Sequence, residues 1–309
     1  MSVMTACAVP DEHKKSITQT QVEYFHGLTE SEKWIGFDWA SAENHGVTYE
    51  RAAMMIHFRD TSTNESLQLQ FDTGVPKNLL YEKALSENSK SKTSRLVNQG
   101  EERESLDVKF EGNFPKTAVN FSFKKDLNPN DAEDDGAPLV GTLGLEFLGD
   151  TGFAIDYPRQ RIYILSAATL DQLEGRYFRS FHPYLSSYKH LNNKIVLPFE
   201  MEGQKDVAIF DTGTSMFEIT LPQEKWKILS RGSFDQADKK MNLPSWGEYI
   251  DVYGKVVQLR IALGGQHLDV TEIYSSSSPS QNWLNIIGNK LFFNRIVIFD
   301  KRKNIYSIF

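Results

Sequence analysis

Short runs of alternating apolar and polar residues recur along most of the chain and set its predicted secondary structure. LQLQF (67–71) and VAIF (207–210) are strand-like runs, each leading into Asp-Thr-Gly. AAMMIHF (52–58) precedes the first of these, and KIVLPFEM (194–201) precedes the second. SLDVKFEGNFPKTAVNFSF (105–123) and VVQLRIALGGQHLDVTEIY (256–274) both read as strand, glycine-containing turn, strand. Period-two runs of this length, bounded by Gly, Pro, Asn and Asp, predict β-strands. Helical patterning is confined to stretches such as LPQEKWKILSRG (221–232) and TLDQLEG (169–175).

These runs occur in the same order twice. Phe71-Asp72-Thr73-Gly74 is matched by Phe210-Asp211-Thr212-Gly213. Downstream, LGLEFLGDTGFAIDYPRQRIYI begins at Leu143-Gly144, and IGNKLFFNRIVIFDKRKNIYSI begins at Ile287-Gly288. Gly144 is followed at equal distance by Ile155-Asp156, as Gly288 is by Phe299-Asp300. A unit repeated in this way predicts two mostly-β lobes. The expected organisation is a flexible tail over 1–20, a first lobe over 21–165, a connector over 166–190 and a second lobe over 191–309. The 21–50 stretch carries Tyr24, Phe25, Trp34, Phe37 and Trp39, too much aromatic bulk to float free.

Composition narrows the function. At 309 residues, with 40% hydrophobic and 24% charged residues, the chain is globular and long enough for two cores. The 34 Lys and Arg against 41 Asp and Glu give a net charge of -7, which argues against a protein that lives on nucleic-acid phosphates. A single cysteine, Cys7, excludes an intramolecular disulfide and a thiolate metal cluster. No apolar run is long enough to span a membrane as a helix. A chain that truly starts at Met1 is expected in the cytoplasm. Met4-Thr5-Ala6-Cys7, however, resembles the end of a bacterial lipoprotein signal, so a truncated front would make Cys7 a membrane anchor.

The duplicated Asp-Thr-Gly has a chemical rationale. Glycine allows a sharp turn and a close backbone approach at the end of each strand, so two lobes can bring two carboxylates together. Carboxylates about 3 Å apart cannot both ionise and share one proton. The charged member can take a proton from a bound water while the neutral one donates to a carbonyl oxygen. That chemistry needs no metal, cofactor or nucleophilic side chain.

FDTG at 71–74, LGL at 143–145, IFDTGTS at 209–215 and IIGNKLFFNRIVIFD at 286–300 together resemble the bilobal pepsin-like aspartic proteases, over roughly residues 50–309. The resemblance implies an all-β, two-lobed fold with a cleft between pseudo-twofold-related lobes. It implies an aspartic endopeptidase, active as a monomer on an extended peptide or protein, with Asp72 and Asp211 as the catalytic pair. Thr73 and Thr212 would lock the two turns together, while Gly74, Gly213 and Thr214 would line the substrate backbone.

Two departures matter. Val75 stands where the family usually has a hydroxyl bonded to the first aspartate, whereas the second copy keeps Thr214 and Ser215. Family members also close a hairpin flap tipped by tyrosine, and none lies between 82 and 138; alignment of LDVKFEG puts the tip near Gln99 and Gly100 instead. The alternative reading is therefore a catalytically impaired relative that binds peptides or a protein partner.

Other motifs read as structural. Asp150-Thr151-Gly152 follows Phe-Leu-Gly, not a strand, and is expected to be a turn. The stretch from Asp131 begins like a calcium loop but has Thr142 where a ligating Glu belongs. The seven histidines form no HExxH pair, and no GxSxG is present, so no metal or serine-nucleophile site is expected. Sequons at Asn64 and Asn120 are short enough to arise by chance.

Overall fold

A computed structural model describes residues 12–88, 103–125, 127, 136–174, 186–187, 189–191, 194–278 and 284–309. The chain is mostly β. In order, the first ten strands are β1 (Lys33–Gly36), β2 (Asp38–Asn44), β3 (Val47–Asp60), β4 (Glu65–Phe71), β5 (Leu79–Tyr81), β6 (Arg103–Phe110), β7 (Thr117–Lys124), β8 (Leu139–Leu143), β9 (Gly152–Asp156) and β10 (Arg161–Ile164). Then come β11 (Ser186–Ser187), β12 (Lys189–Leu191), β13 (Lys194–Met201), β14 (Gln204–Phe210), β15 (Ile219–Thr220) and β16 (Lys239–Ser245). The last are β17 (Glu248–Leu263), β18 (Gln266–Ser276), β19 (Asn285–Ile287), β20 (Ile296–Asp300) and β21 (Ile305–Ile308). The α-helices among the described residues are α1 (Glu12–Thr29), α2 (Glu82–Asn88), α3 (Ala167–Gln172) and α4 (Gln223–Ser230).

Three sheets hold these strands. One runs β2-β3-β4-β8-β5-β7-β6, a second β12-β13-β14-β19-β15-β18-β17-β16, and a third β1-β10-β9-β20-β21-β11. The first two share a plan. In the first, β4 is antiparallel to β3 and parallel to β8, while β5 is antiparallel to β8 and parallel to β7. In the second, β14 is antiparallel to β13 and parallel to β19, while β15 is antiparallel to β19 and parallel to β18. The third sheet joins the repeats, since β9 pairs antiparallel with β20 and sets Phe153 opposite Phe299.

The strands fold where the alternation places them. In β4, Leu67, Leu69 and Phe71 are buried while the residues between them are less so, the period of a pleated strand. Residues buried from both repeats merge into one apolar core, in which Phe210 packs on Phe292 and Phe299.

Helices depart from expectation in two places. α1 starts at Glu12, inside the stretch expected as a polar tail. Its last two turns hold it to the fold: Phe25 is fully buried with Val22, Tyr24 and Leu28 packed around it, and His26 Nε2 lies 2.7 Å from the buried Asp156 Oδ2. α2 has no counterpart in the sequence pattern, because ALSEN carries too few apolar residues to show a helical period. The two expected helices form, as α3 with Ser166 accepting from the Thr169 N–H and as α4 with Trp226 fully buried. Among the described residues no helix is long and apolar enough to cross a membrane.

Candidate functional site

Asp72 directly follows β4 and Asp211 directly follows β14, so the same local structure holds both. The Asp72 N–H donates to the Leu143 carbonyl of β8 (3.1 Å), and the Asp211 N–H to the Ile287 carbonyl of β19 (3.0 Å). Each chain then turns back at once: the Val75 N–H donates to the Asp72 carbonyl and the Thr214 N–H to the Asp211 carbonyl. The glycines after β8 and β19 fill the space behind these turns. A side chain on Gly144 would meet the Lys77 and Val75 carbonyls, and one on Gly288 the Thr214 and Phe217 carbonyls. That is why Leu-Gly and Ile-Gly recur in the two repeats.

The turns lock to each other through their threonines. Thr73 N–H donates to Thr212 Oγ1 (2.9 Å) and Thr212 N–H to Thr73 Oγ1 (3.0 Å). Each hydroxyl donates across as well, Thr73 Oγ1 to the Phe210 carbonyl (2.9 Å) and Thr212 Oγ1 to the Phe71 carbonyl (3.1 Å). Both threonines are fully buried, which strengthens these bonds and makes their loss costly.

The lock brings the carboxyls face to face. Gly74 N–H donates to Asp72 Oδ1 (2.7 Å), and Gly213 N–H to Asp211 Oδ1 (2.9 Å). A Cβ on Gly74 would lie 2.6 Å from Asp211 Cγ, and one on Gly213 2.6 Å from Asp72 Oδ2. Only glycine fits between the acids. The two carboxyl groups hydrogen-bond to one another. Burial, the Asp211 charge and this shared bond hold Asp72 well above the ordinary carboxylate range, against the Gly74 N–H and the Lys194 charge. Burial also raises Asp211, but the hydrogen bond from Asp72, the Gly213 N–H and Lys194 offset part of that rise. The two acids therefore share their protons and titrate as a unit.

Thr214 braces the second turn. Its hydroxyl donates to the Asp211 backbone carbonyl (2.8 Å), not to the carboxylate, and Ser215 Oγ donates to the Thr212 carbonyl (2.8 Å). The reason is geometric: a hydroxyl three residues into a tight turn reaches the carbonyl that opens the turn. Val75 is buried in the equivalent place, and its carbonyl accepts the Leu145 N–H. Gln99 and Gly100, the expected flap tip, lie outside the described residues, as does the start of the calcium-like stretch at 131–135. Asp150-Thr151-Gly152 leads into β9 of the joining sheet, with the Lys301 N–H donating to the Thr151 carbonyl.

Four contributors escaped the sequence reading. Tyr157, after β9, donates to Asn289 Oδ1 (2.6 Å), and Asn289 Nδ2 donates to the Thr212 carbonyl (2.9 Å) and Ser215 Oγ (2.7 Å), bracing the second turn. A polar Asn289 after Gly288, where the first copy has Leu145, is the signal that could have revealed it. Tyr81 OH pairs with Thr142 Oγ1 (2.5 Å), and its pKa is pushed up to about 12, first by burial, with the Thr142 bond opposing and the Asp72 charge adding. Lys194 acts on both aspartates. Val196 pairs with Ile209, and the same register carried on sets Lys194 opposite Asp211. The first repeat has Ala53 opposite Asp72, since Met55 pairs with Gln70.

No family model matches the sequence, and comparison with curated proteins returns no match.

Proposed function

We propose that the chain is an aspartic endopeptidase of pepsin-like, two-lobed architecture, with its cleft between the two repeats. The observation that carries this reading is the pair of buried Asp-Thr-Gly turns, locked Thr73 to Thr212 with their carboxyls sharing a hydrogen bond. In the proposed reaction, a water held between the acids gives a proton to the Asp211 carboxylate as its oxygen attacks the scissile carbonyl carbon. Asp72 gives its proton to the carbonyl oxygen. The resulting diol collapses: the C–N bond breaks, the leaving nitrogen takes the proton gained by Asp211, and one diol hydroxyl returns its proton to Asp72 as the new carboxyl forms. Extended peptide binding through backbone hydrogen bonds suits a cleft of this kind.

The absence of a tyrosine between 82 and 138 favours a second reading, in which the site binds peptide without cleaving it. The two separate on incubation with a peptide library between pH 3 and 8, with and without a statine-type transition-state mimic, followed by mass spectrometry. Cleavage that the mimic blocks and Asp72→Asn abolishes supports the protease. Binding of the mimic with no cleavage at any pH supports capture alone.

A further inference from the structure

β17 is the longest strand of the fold, at 16 residues, and it serves two structures. Its C-terminal part belongs to the core of its sheet, where Leu263 pairs with Phe199 of β13 and with Gln266 of β18. A register shift between Val256 and Leu259 offsets its pairing with β18, which continues on the other side from Val256 with Glu272 to Val252 with Ser276. A bulge bends a strand and increases its twist. Beyond it, β16 and β17 form a hairpin closed by Trp246 and Gly247, both at positive φ (54° and 91°), the geometry of a tight two-residue turn.

The hairpin reaches from the loop after the Asp211 turn to the first repeat. Its underside packs Met241 and Val252 on Phe217 and Tyr274, with Leu243, Ile250, Met216 and Tyr49 partly buried beside them. Met216 and Phe217 directly follow the Asp211 turn. Asn44 of β2 donates its side-chain amide to the Asn242 carbonyl (2.8 Å), tying the hairpin's flank to the first repeat. At the tip, Lys124 Nζ sits 5.9 Å from the Trp246 ring centroid, and Leu127 Cδ1 is 3.7 Å from where a Gly247 Cβ would stand. Lys124 is the β7 residue paired with Tyr81, whose hydroxyl feels the Asp72 charge. The hairpin thus starts beside the loop of one aspartate and ends beside the strand pair next to the other.

Its two ends are held differently. The base is pinned by ion pairs, Lys239 with Glu272 and Lys290 with Glu272 (2.6 Å), and Gly254 sits so close that a Cβ there would lie 2.6 Å from Tyr274 Cε1. The tip sits beside Lys124 and Leu127 and leaves Trp246 47% and Tyr249 67% exposed. Large apolar side chains at an exposed tip are what a segment that covers a ligand carries.

We propose that the β16–β17 hairpin is a substrate cover, free beyond its last pair with β18 at Val252 and Ser276, and that Trp246 is its main contact with bound peptide. This rests on the protease reading. Hydrogen exchange of residues 239–256 is measured in the full chain with and without a statine-type peptide, alongside kcat and KM for wild type and Trp246→Ala. The cover predicts slower exchange in the hairpin on binding and a KM raised about tenfold by Trp246→Ala with kcat within about twofold, since a buried Trp contact at a binding surface carries that much. Trp246 is exposed, so this variant folds; a second variant, with 242–251 replaced by Asn-Gly, raises KM further. If wild type cleaves peptide and binds the mimic while exchange and the Trp246→Ala KM stay unchanged, the cover is wrong and the protease stands. If wild type neither cleaves peptide nor binds the mimic, the protease reading fails and the cover falls with it.

Discussion

Thr73 and Thr212 each donate a backbone N–H to the other's hydroxyl, 2.9 and 3.0 Å away, and each hydroxyl donates onward to the carbonyl before the opposite aspartate. Replacing Thr73 with Val keeps the shape but removes the hydroxyl, orphaning the Thr212 N–H and the Phe210 carbonyl in a dry interior. Each unsatisfied buried group costs roughly 1–3 kcal/mol. Thr73→Val is therefore expected to lose about 2–4 kcal/mol in denaturant titration, whereas Thr73→Ser, which keeps the hydroxyl, loses about 1 kcal/mol for its methyl group. Equal losses for the two would mean that the lock contributes nothing.

Asp72→Asn and Asp211→Asn each remove a carboxylate the shared proton requires, and each is expected to abolish peptide hydrolysis with the fold intact. Asp150→Asn, outside the pair, keeps activity. Stability gives a second readout. The raised Asp72 means that the folded chain holds a proton the unfolded chain releases, so wild-type stability falls as pH rises through the interval between the ordinary carboxylate value and the raised one. Asp72→Asn escapes that loss and should be more stable than wild type at pH 8, by about 1–2 kcal/mol, with a smaller gain at pH 4. Thermal unfolding at the two pH values checks it.

Lys194 lowers both acids of the pair from one side. Lys194→Met withdraws that charge, so the acidic limb of the pH–rate profile should move toward less acidic pH, and Lys194→Arg should hold it near wild type. An unmoved limb in Lys194→Met would show that solvent already screens the ammonium.

Val75→Ser restores the hydroxyl that the family resemblance leads one to expect near Asp72. Thr214, in the equivalent position, spends its hydroxyl on the Asp211 carbonyl, so the serine introduced by Val75→Ser should take the Asp72 carbonyl and leave the acidic limb where it was. A limb shifted to lower pH would show instead that the hydroxyl reaches the carboxylate.

Glu104, on β6, is pushed up to about 7 by burial and by the nearby Asp60 charge, and its Oε2 is buried without a hydrogen-bond partner. An acid raised in the folded state stabilises less as pH climbs, here from about pH 4.5 to 7. Glu104→Gln removes that dependence and should gain about 1 kcal/mol over wild type at pH 8 but not at pH 4, the figure being held low because the side chain is half-exposed. Differential scanning calorimetry at both pH values decides it.

The sequence by itself determined the β character, the repeat and the two aspartates. Alternating runs such as LQLQF can bury one face only as strands, and FDTG recurs with its downstream Gly144 and Gly288 because each turn needs a residue without a side chain beneath it. The alternation is a local constraint, and the glycines show themselves because the same spacing occurs twice. What the tertiary structure alone decided depends on partners far apart in the chain. Lys194 matters because strand register sets it opposite Asp211, Asn289 because Tyr157 arrives from another sheet, and Thr214 because the turn carbonyl lies closer to its hydroxyl than the carboxylate does. Helix α1 likewise forms where few residues announce it, since burial of Phe25 and the His26–Asp156 contact come from strands more than a hundred residues downstream. No pattern in the sequence near the hairpin tip says that Trp246 will rest beside Lys124. Strand pairing and packing across the two repeats bring them together.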